Sequence, residues 1–143
     1  MTLTFDGTVV VPAADPDDGE RTARALQDHL APSSTVIAVN VIEKAGGGID
    51  KAPMEQREDH AGDIFERIRS VLDESPAAVE TEVLYGTDVV ERIFEAAREE
   101  RADAVVFNAR EGNRIAEFLT GNVARRLVKE ASVPVVALPQ TEP

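Results

Sequence analysis

The segment from Asn108 to Asn122 holds the residues best suited to chemistry in this chain. It joins a short apolar run to a helical pattern, and its first half is polar. Arg110 and Arg114 supply positive charge, while Gly112 and Gly121 let the backbone approach an anion closely. Free N–H groups at the start of the following helix also attract an anion. The segment therefore predicts an anion site, with solvated arginines, or arginines paired with nearby glutamates, as the plainer alternative.

Metal and covalent chemistry find little support in the rest of the chain. There is no cysteine, which excludes disulfides and thiolate chemistry, and no Gly-x-Ser-x-Gly turn. His29 and His60 lie on separate predicted helices, without the spacing of a metal-binding pair. Asp15, Asp17 and Asp18 offer carboxylates to a divalent cation, but capping of the next helix by Asp17 or Asp18 is the simpler interpretation. We expect no metal and no catalytic residue.

The charge balance restricts the partners of the protein. With 15 basic and 27 acidic residues the net charge is −12, which disfavours nucleic acid. The acidic, lysine-poor composition favours a halophilic source, where salt screens the self-repulsion. No apolar run is long enough to span a membrane, and the N-terminus lacks a signal-peptide pattern. We therefore expect a cytoplasmic protein.

Apolar, β-branched runs alternate with amphipathic helical patterns along the whole chain. The runs predict strands at residues 8–11, 35–42, 79–85, 104–107 and 134–138. The helical patterns cover residues 19–30, 54–73, 89–97 and 122–130. This order predicts one α/β domain over residues 1–143, a three-layer sandwich with a five-stranded, mainly parallel sheet. Ligands in such sheets bind at the carboxyl ends of strands, here after Val11, Ile42 and Phe107.

Four short motifs, taken together, connect the chain to a known family. They are Val9–Pro12, Tyr85–Asp88, Ala102–Val106, and Phe118–Ala124 running on to Ser132–Val136. In their order and spacing the chain resembles the universal stress protein family from end to end. The resemblance implies an adenine nucleotide alpha hydrolase-like fold and a role in stress tolerance. It implies no known enzymatic reaction.

Many members of that family bind ATP through a glycine pattern that is degenerate here. The pattern is a glycine, two residues, a glycine, nine residues, then glycine and Ser or Thr. Anchored on Gly121, it puts Asn108 and Glu111 at the two earlier glycine positions and Asn122 at the hydroxyl position. Glu111 would then set a negative charge beside phosphates. The resemblance therefore predicts a weakened ATP loop.

Two further details belong to this loop and its surroundings. If the family's pattern is shifted by one residue, Ala109 and Gly112 take the positions of the two missing glycines. The Asp that the family has after the first strand falls at Ala14, which is beside Asp15. If the site is retained, the resemblance assigns nucleotide contacts to Ala13, Asp15, Val41, Asn108, Arg110, Gly112, Gly121, Asn122 and Val123. Because so many positions depart from the pattern, we expect no bound cofactor, with ATP as the alternative.

The preferred interpretation is a non-enzymatic stress-response homodimer. The last strand is apolar and carries no charge to block pairing at a sheet edge. In the family this strand often mediates dimerisation, which predicts an interface at Val135, Val136 and Leu138. One alternative is an ATP-binding switch or weak ATPase, and another is a regulatory module for a transporter or other partner. A phospho-acceptor receiver domain is excluded, because Leu84–Gly86 stands where its acceptor Asp belongs.

Overall fold

The computed structural model describes residues 3–44, 51–108 and 121–139, in which strands and helices alternate. The strands are β1 (Thr8–Pro12), β2 (Thr35–Glu43), β3 (Ala78–Gly86), β4 (Ala104–Asn108) and β5 (Val135–Leu138). The helices are α1 (Pro16–Leu26), α2 (Lys51–Leu72), α3 (Val89–Glu99) and α4 (Gly121–Lys129), with a 3₁₀ turn at Gln27–His29 after α1. The predicted elements are all present, with boundaries shifted by a few residues.

The five strands form one sheet in the order β3-β2-β1-β4-β5, and each pairing is parallel. From the central strand β1, the chain adds β2 and then β3 on one side of the sheet. It then crosses back and adds β4 and β5 on the other side. This reversal beside β1 is the switch point of the sheet. The predicted fold class is confirmed. The alternating pattern of residues 79–85 predicts an edge strand with one solvent-exposed face, and β3 does lie at an edge of the sheet.

Helices cover both faces of the sheet, so the molecule has three layers. On one face Leu26 of α1 and Ile64 and Ile68 of α2 are buried in the core. On the other face Ile93 of α3 and Leu127 of α4 are fully buried. Strand residues alternate between these two cores, which explains why the central strands are apolar almost throughout. Among the described helices, none is both long and apolar enough to cross a membrane.

Helix α1 begins three residues earlier than predicted, and its cap differs. The expectation that Asp17 or Asp18 caps a helix starting near Gly19 is wrong. Asp15 is the N-cap, and its Oδ1 accepts a hydrogen bond from the Asp18 N–H at 2.7 Å. Pro16 fits the first helical position because that residue needs no intrahelical N–H, and its ring fixes a helical φ. The helix therefore begins at Pro16 rather than after it.

Helix α4 also corrects one expectation. The apolar pattern of residues 122–130 predicts that Val123, Leu127 and Val128 face inward, but Val128 is 60% exposed. Leu127 is fully buried, and the next residue lies about 100° further round a helix, consistent with 3.6 residues per turn. The inward face of α4 is therefore narrow.

Candidate functional site

The central strand β1 and its neighbour β4 separate toward their carboxyl ends. Their pairing ends at Val10 and Val105, although both strands continue. Ala13 donates its N–H to Val39 of β2, so by alternation Val10 and Pro12 turn their backbone groups toward β4. Pro12 has no N–H to donate, so the ladder cannot be continued from its side. A crevice follows at the switch point, where open α/β sheets bind ligands.

The loop after β1 forms one wall of this crevice, and side chains of the protein hold its backbone. The Ala13 carbonyl accepts from the Asn40 amide at 2.9 Å, and the Ala14 N–H donates to Asp18 Oδ2 at 3.0 Å. Asn40 and Asp18 are buried, at 5% and 0% exposure. These backbone groups are therefore already engaged within the fold.

Asn108, at the end of β4, forms the opposite wall. Its amide nitrogen donates to the carbonyls of Leu138 and Pro139, at 3.2 and 3.1 Å, and the residue is 2% exposed. The side chain thus fastens β4 to β5. A glycine at this position would leave the backbone open to close approach by a ligand, whereas Asn108 fills the space with a committed amide.

The helices α1 and α4 follow β1 and β4 and so begin at this edge of the sheet, and their first turns differ in charge. At α1 the cap Asp15 and the first-turn residues Asp17 and Asp18 already place carboxylates at the positive end of the helix dipole. The first turn of α4, from Gly121, contains no acidic residue, and Asn122 is exposed. Of these two first turns, that of α4 is therefore the more favourable for an anion.

The residues predicted to contact a nucleotide do not share one surface. The Ala13 side chain is fully buried in the core under α1 and α2, whereas Val41 and Val123 pack in the core under α3 and α4. Asp15 is half-buried and caps α1. Asn108 ends β4, Gly121 and Asn122 begin α4, and Arg110 and Gly112 lie outside the described residues. The structure thus leaves the nucleotide-contact set as a prediction.

The residues predicted to form a dimer interface are on the edge strand β5. Val135 and Val136 are half-buried, and Ala137 between them and the strand end is exposed. Leu138 is 3% exposed and packs in the core under α1, so its side chain faces into the monomer. The interface itself stays a prediction.

An ion-pair cluster connects α3 to α4 near the crevice. Arg126 Nη2 contacts Asp88 Oδ2 at 2.9 Å, and Arg126 Nε contacts Glu130 Oε2 at 2.7 Å. The Arg126 guanidinium, followed by the Glu91 N–H, holds the pKa of the Asp88 carboxyl below its usual range. It also lowers the pKa of Glu130, while the two carboxylates raise the pKa of Arg126. The charge of Arg126 is therefore compensated within the protein.

Sequence reasoning missed two residues and one ion pair that shape this site. Asn40 stands as a lone amide within the apolar run of β2, and a polar residue in a buried strand is a signal for a specific partner. Pro12 belongs to one of the four motifs. Whether it ends the pairing of β1 with β4 depends on which neighbouring strand its backbone faces. The pairing of Asp88 with Arg126 joins residues 38 positions apart, and the sequence carries no signal for it.

The acidic residues after β1 make contacts within the protein. Within the described ranges, no three His, Asp or Glu side chains form a group able to hold a metal ion. Asp15 caps α1, Asp18 accepts from Ala14, and Asp17 contacts Arg67 at 3.4 Å. Each aspartate thus has a contact within the protein.

An open parallel sheet of this strand order, with a crevice at its switch point, defines an α/β protein of nucleotide-binding-like fold. The chain matches the model of the universal stress protein family over residues 7–139. It therefore belongs to the universal stress protein family.

Individual relatives agree with this assignment. The stress response protein NhaX of Bacillus subtilis (strain 168) is 30% identical over 79 residues, which is 55% of this chain and 47% of that protein. The chain thus matches about half the length of this curated relative. The universal stress protein UspA from Lactobacillus plantarum has 18% identity and a TM-score of 0.70, over 93% of this chain and 97% of that one. The universal stress protein from Archaeoglobus fulgidus in complex with dAMP has 21% identity and a TM-score of 0.64, over 95% and 99%. At these identities the structures establish the fold.

Proposed function

We propose that this protein is a non-enzymatic, dimeric stress-response protein whose crevice does not hold ATP tightly. One observation carries the proposal: the polar side chains described at the crevice are engaged with the protein's own backbone. Asp15 caps α1, Asn40 holds the loop after β1, and Asn108 joins β4 to β5. A ligand would have to break these bonds or bind without them, and leaving a buried polar group unpaired costs about 1–3 kcal/mol.

Charge supports the same proposal. A triphosphate at the switch point would lie near the three aspartates at the start of α1, on a protein of net charge −12. Arg126, the residue of α4 that contacts the N-cap of α3, is neutralised by Asp88 and Glu130. The sequence adds Glu111 at a position where the family's ATP-binding members have glycine. Coulomb repulsion therefore opposes the usual ligand of the family.

Calorimetric titration with ATP and Mg²⁺ tests the proposal. We expect the natural sequence to show no micromolar binding. The triple variant Asn108→Gly, Glu111→Gly and Asn122→Ser, which restores the family's pattern, should gain affinity by at least about ten-fold, equivalent to about 1.4 kcal/mol. Micromolar binding by the natural sequence, weakened by Asn122→Ala, would overturn the proposal in favour of an ATP switch.

A second candidate function is a switch that binds an adenine monophosphate, or a weak ATPase. The acid-free first turn of α4 favours it, because a monophosphate carries less charge than a triphosphate and can be accepted at a helix N-terminus. The Archaeoglobus fulgidus relative was determined in complex with dAMP. Parallel titrations with AMP and ATP, with phosphate release followed for ATP, distinguish the candidates. Binding of AMP without phosphate release supports a switch and excludes an ATPase.

We propose that the dimer forms through β5. This strand ends the sheet order, carries no charged side chain and exposes Ala137. Val128 of α4 adds exposed apolar surface on the segment that leads into β5. At micromolar concentration, sedimentation velocity should show a species of twice the monomer mass. A monomer at that concentration would refute the dimer.

A further inference from the structure

Helix α4 is held to the sheet by little apolar packing. Of its nine residues, Leu127 is fully buried, Val123 and Ala124 are half-buried, and Val128 is exposed. Helix α3 beside it buries six side chains, among them Ile93 at 0% and Phe94 at 3% exposure. Since apolar burial is the main term that fixes a helix on a sheet, α3 is the firmly placed element and α4 the weakly placed one.

Polar contacts between the two helices supplement this packing. Arg126 in α4 contacts Asp88 at the start of α3, and Arg98 near the end of α3 donates to Ser132 Oγ, beyond α4, at 2.6 Å. Asp88 is itself fixed, because its Oδ1 accepts from the N–H groups of Val90 and Glu91 at 3.0 and 3.2 Å. The second oxygen of the same carboxylate is therefore presented to Arg126 from a rigid position.

The geometry points to Asp88 and Arg126 as the positioning pair that sets the N-terminus of α4 against the crevice. Arg126 follows Gly121 by five residues, so at about 1.5 Å per residue the anchor lies about 7.5 Å from the first residue of the helix. We infer that α3 thereby controls how well the crevice holds a phosphate group. The effect on phosphate affinity rests on the second candidate function, the binding of an adenine monophosphate. The placement of α4 by this pair does not depend on that function.

Three substitutions separate this role from the other duties of the same residues. Asp88→Asn retains helix capping, since Asn caps as well as Asp, but removes the charge that pairs with Arg126. Arg126→Met removes the pair from the other side and leaves the Asp88 cap intact. Glu130→Gln is the matched control, because it removes an Arg126 ion pair of 2.7 Å that joins α4 to the residue directly after it and does not reach α3.

Hydrogen exchange of the backbone amides tests the placement of α4. With Asp88→Asn or Arg126→Met we expect exchange in α4 to accelerate by about five- to ten-fold, while the central strands keep their rates. Glu130→Gln should leave α4 close to its natural rate. Unchanged exchange in α4, or an equal acceleration in every element, would overturn the inference.

Titration with AMP tests the control of the crevice. A simple field effect predicts opposite results, since Asp88→Asn removes negative charge and Arg126→Met removes positive charge near the phosphate. A positioning role predicts that both variants weaken AMP binding, by about five-fold, and that Arg126→Lys restores part of it. Opposite changes would contradict positioning. If the natural sequence does not bind AMP, the second candidate function fails, while hydrogen exchange still decides whether the pair places α4.

Discussion

Asp15 occupies a position to which the family resemblance assigned a ligand contact, yet its carboxylate accepts the N–H of Asp18. Asn40 and Asn108, the other polar side chains described beside the crevice, likewise bind backbone groups of the protein. At the residue scale, a polar group near a ligand site is therefore not evidence of ligand binding until its partner is known. Replacing such a residue should change stability before it changes any binding.

Asp15→Ala should lower the free energy of unfolding by about 1 kcal/mol, because α1 loses its N-cap. Asp15→Asn should change it by a few tenths of that amount, since Asn also caps. Urea unfolding followed by circular dichroism measures both changes. Asp17→Ala is the control, because its carboxylate is 74% exposed and makes a surface ion pair. Equal losses for Asp15→Ala and Asp17→Ala would contradict the assigned cap.

At the element scale, α1 and α2 approach closely at Gly19. A Cβ atom there would lie 3.1 Å from Ile68 Cγ1 and 3.3 Å from Ile64 Cγ2. Such contacts are tighter than those of ordinary side-chain packing, so the two helices depend on the absence of a side chain at this position. Gly62 in α2 is the opposite case, because a Cβ there would have no heavy atom within 4 Å.

These two glycines predict substitutions of opposite sign. Gly19→Val should destabilise the protein by about 1–3 kcal/mol, because the added methyl groups overpack the contact between the helices. Gly62→Ala should stabilise it by about 0.5–1 kcal/mol, because alanine has the higher helix propensity and meets no neighbour. Thermal and urea unfolding of both variants check the result. A stabilising Gly19→Val would show that the helices can move apart freely.

The ion pairs between and within helices make stability depend on pH. Arg126 lowers the pKa of Asp88 and Glu130, and Arg67, followed by Arg24, lowers that of Glu20. A carboxyl whose pKa is lowered by folding stabilises the fold in its ionised form. This contribution is complete above the ordinary pKa values of 3.8 and 4.5 and is lost as the pH falls through the lower, folded values.

Arg126→Met should therefore cost most stability near neutral pH and progressively less below about pH 4.5. Urea unfolding of the natural sequence and the variant, compared at each pH, isolates this difference from the repulsion that both proteins share. We expect the two unfolding curves to converge as the pH falls through the lowered pKa values of Asp88 and Glu130. A difference that stays constant as both carboxyl groups become protonated would mean that Arg126 acts through packing.

At the scale of the whole molecule, the two edges of the sheet differ in charge. The edge strand β3 exposes Glu80 and Glu82, and Arg69 of α2 donates to the Val79 carbonyl at 3.2 Å. Charged side chains and covered backbone groups protect an edge strand from pairing. The edge strand β5 has neither glutamate nor lysine, and its residues are Val, Val, Ala and Leu. The molecule therefore offers one edge for association and protects the other.

Ala137→Lys, which adds a charge to an exposed position of β5, should weaken the proposed dimer by at least about ten-fold, because the lysine must be desolvated on pairing. Glu82→Lys places the same side chain on β3 and should leave the dimer intact. Sedimentation velocity over a concentration series measures both. Dissociation by Glu82→Lys and not by Ala137→Lys would move the interface to the other edge.

The elements and their order could be predicted from the amino-acid sequence, because both depend on local patterns. Apolar, β-branched runs form strands, amphipathic repeats form helices, and their strict alternation leads to a parallel sheet with helices on both faces. The family could be inferred from the spacing of four motifs, and the family model over residues 7–139 confirms it. The acidic composition is likewise a property of the sequence alone.

The tertiary structure decided what each polar residue at the crevice does. Asn40 and Asn108 bind carbonyls 27 and 30 positions away, and no local pattern fixes such partners. Pro12 separates β1 from β4 because the strand order places β4 on the side where its N–H is missing. Whether Asp88 reaches Arg126 depends in the same way on α3 and α4 lying side by side. These are contacts between distant segments, and only the packing of the sheet brings them together.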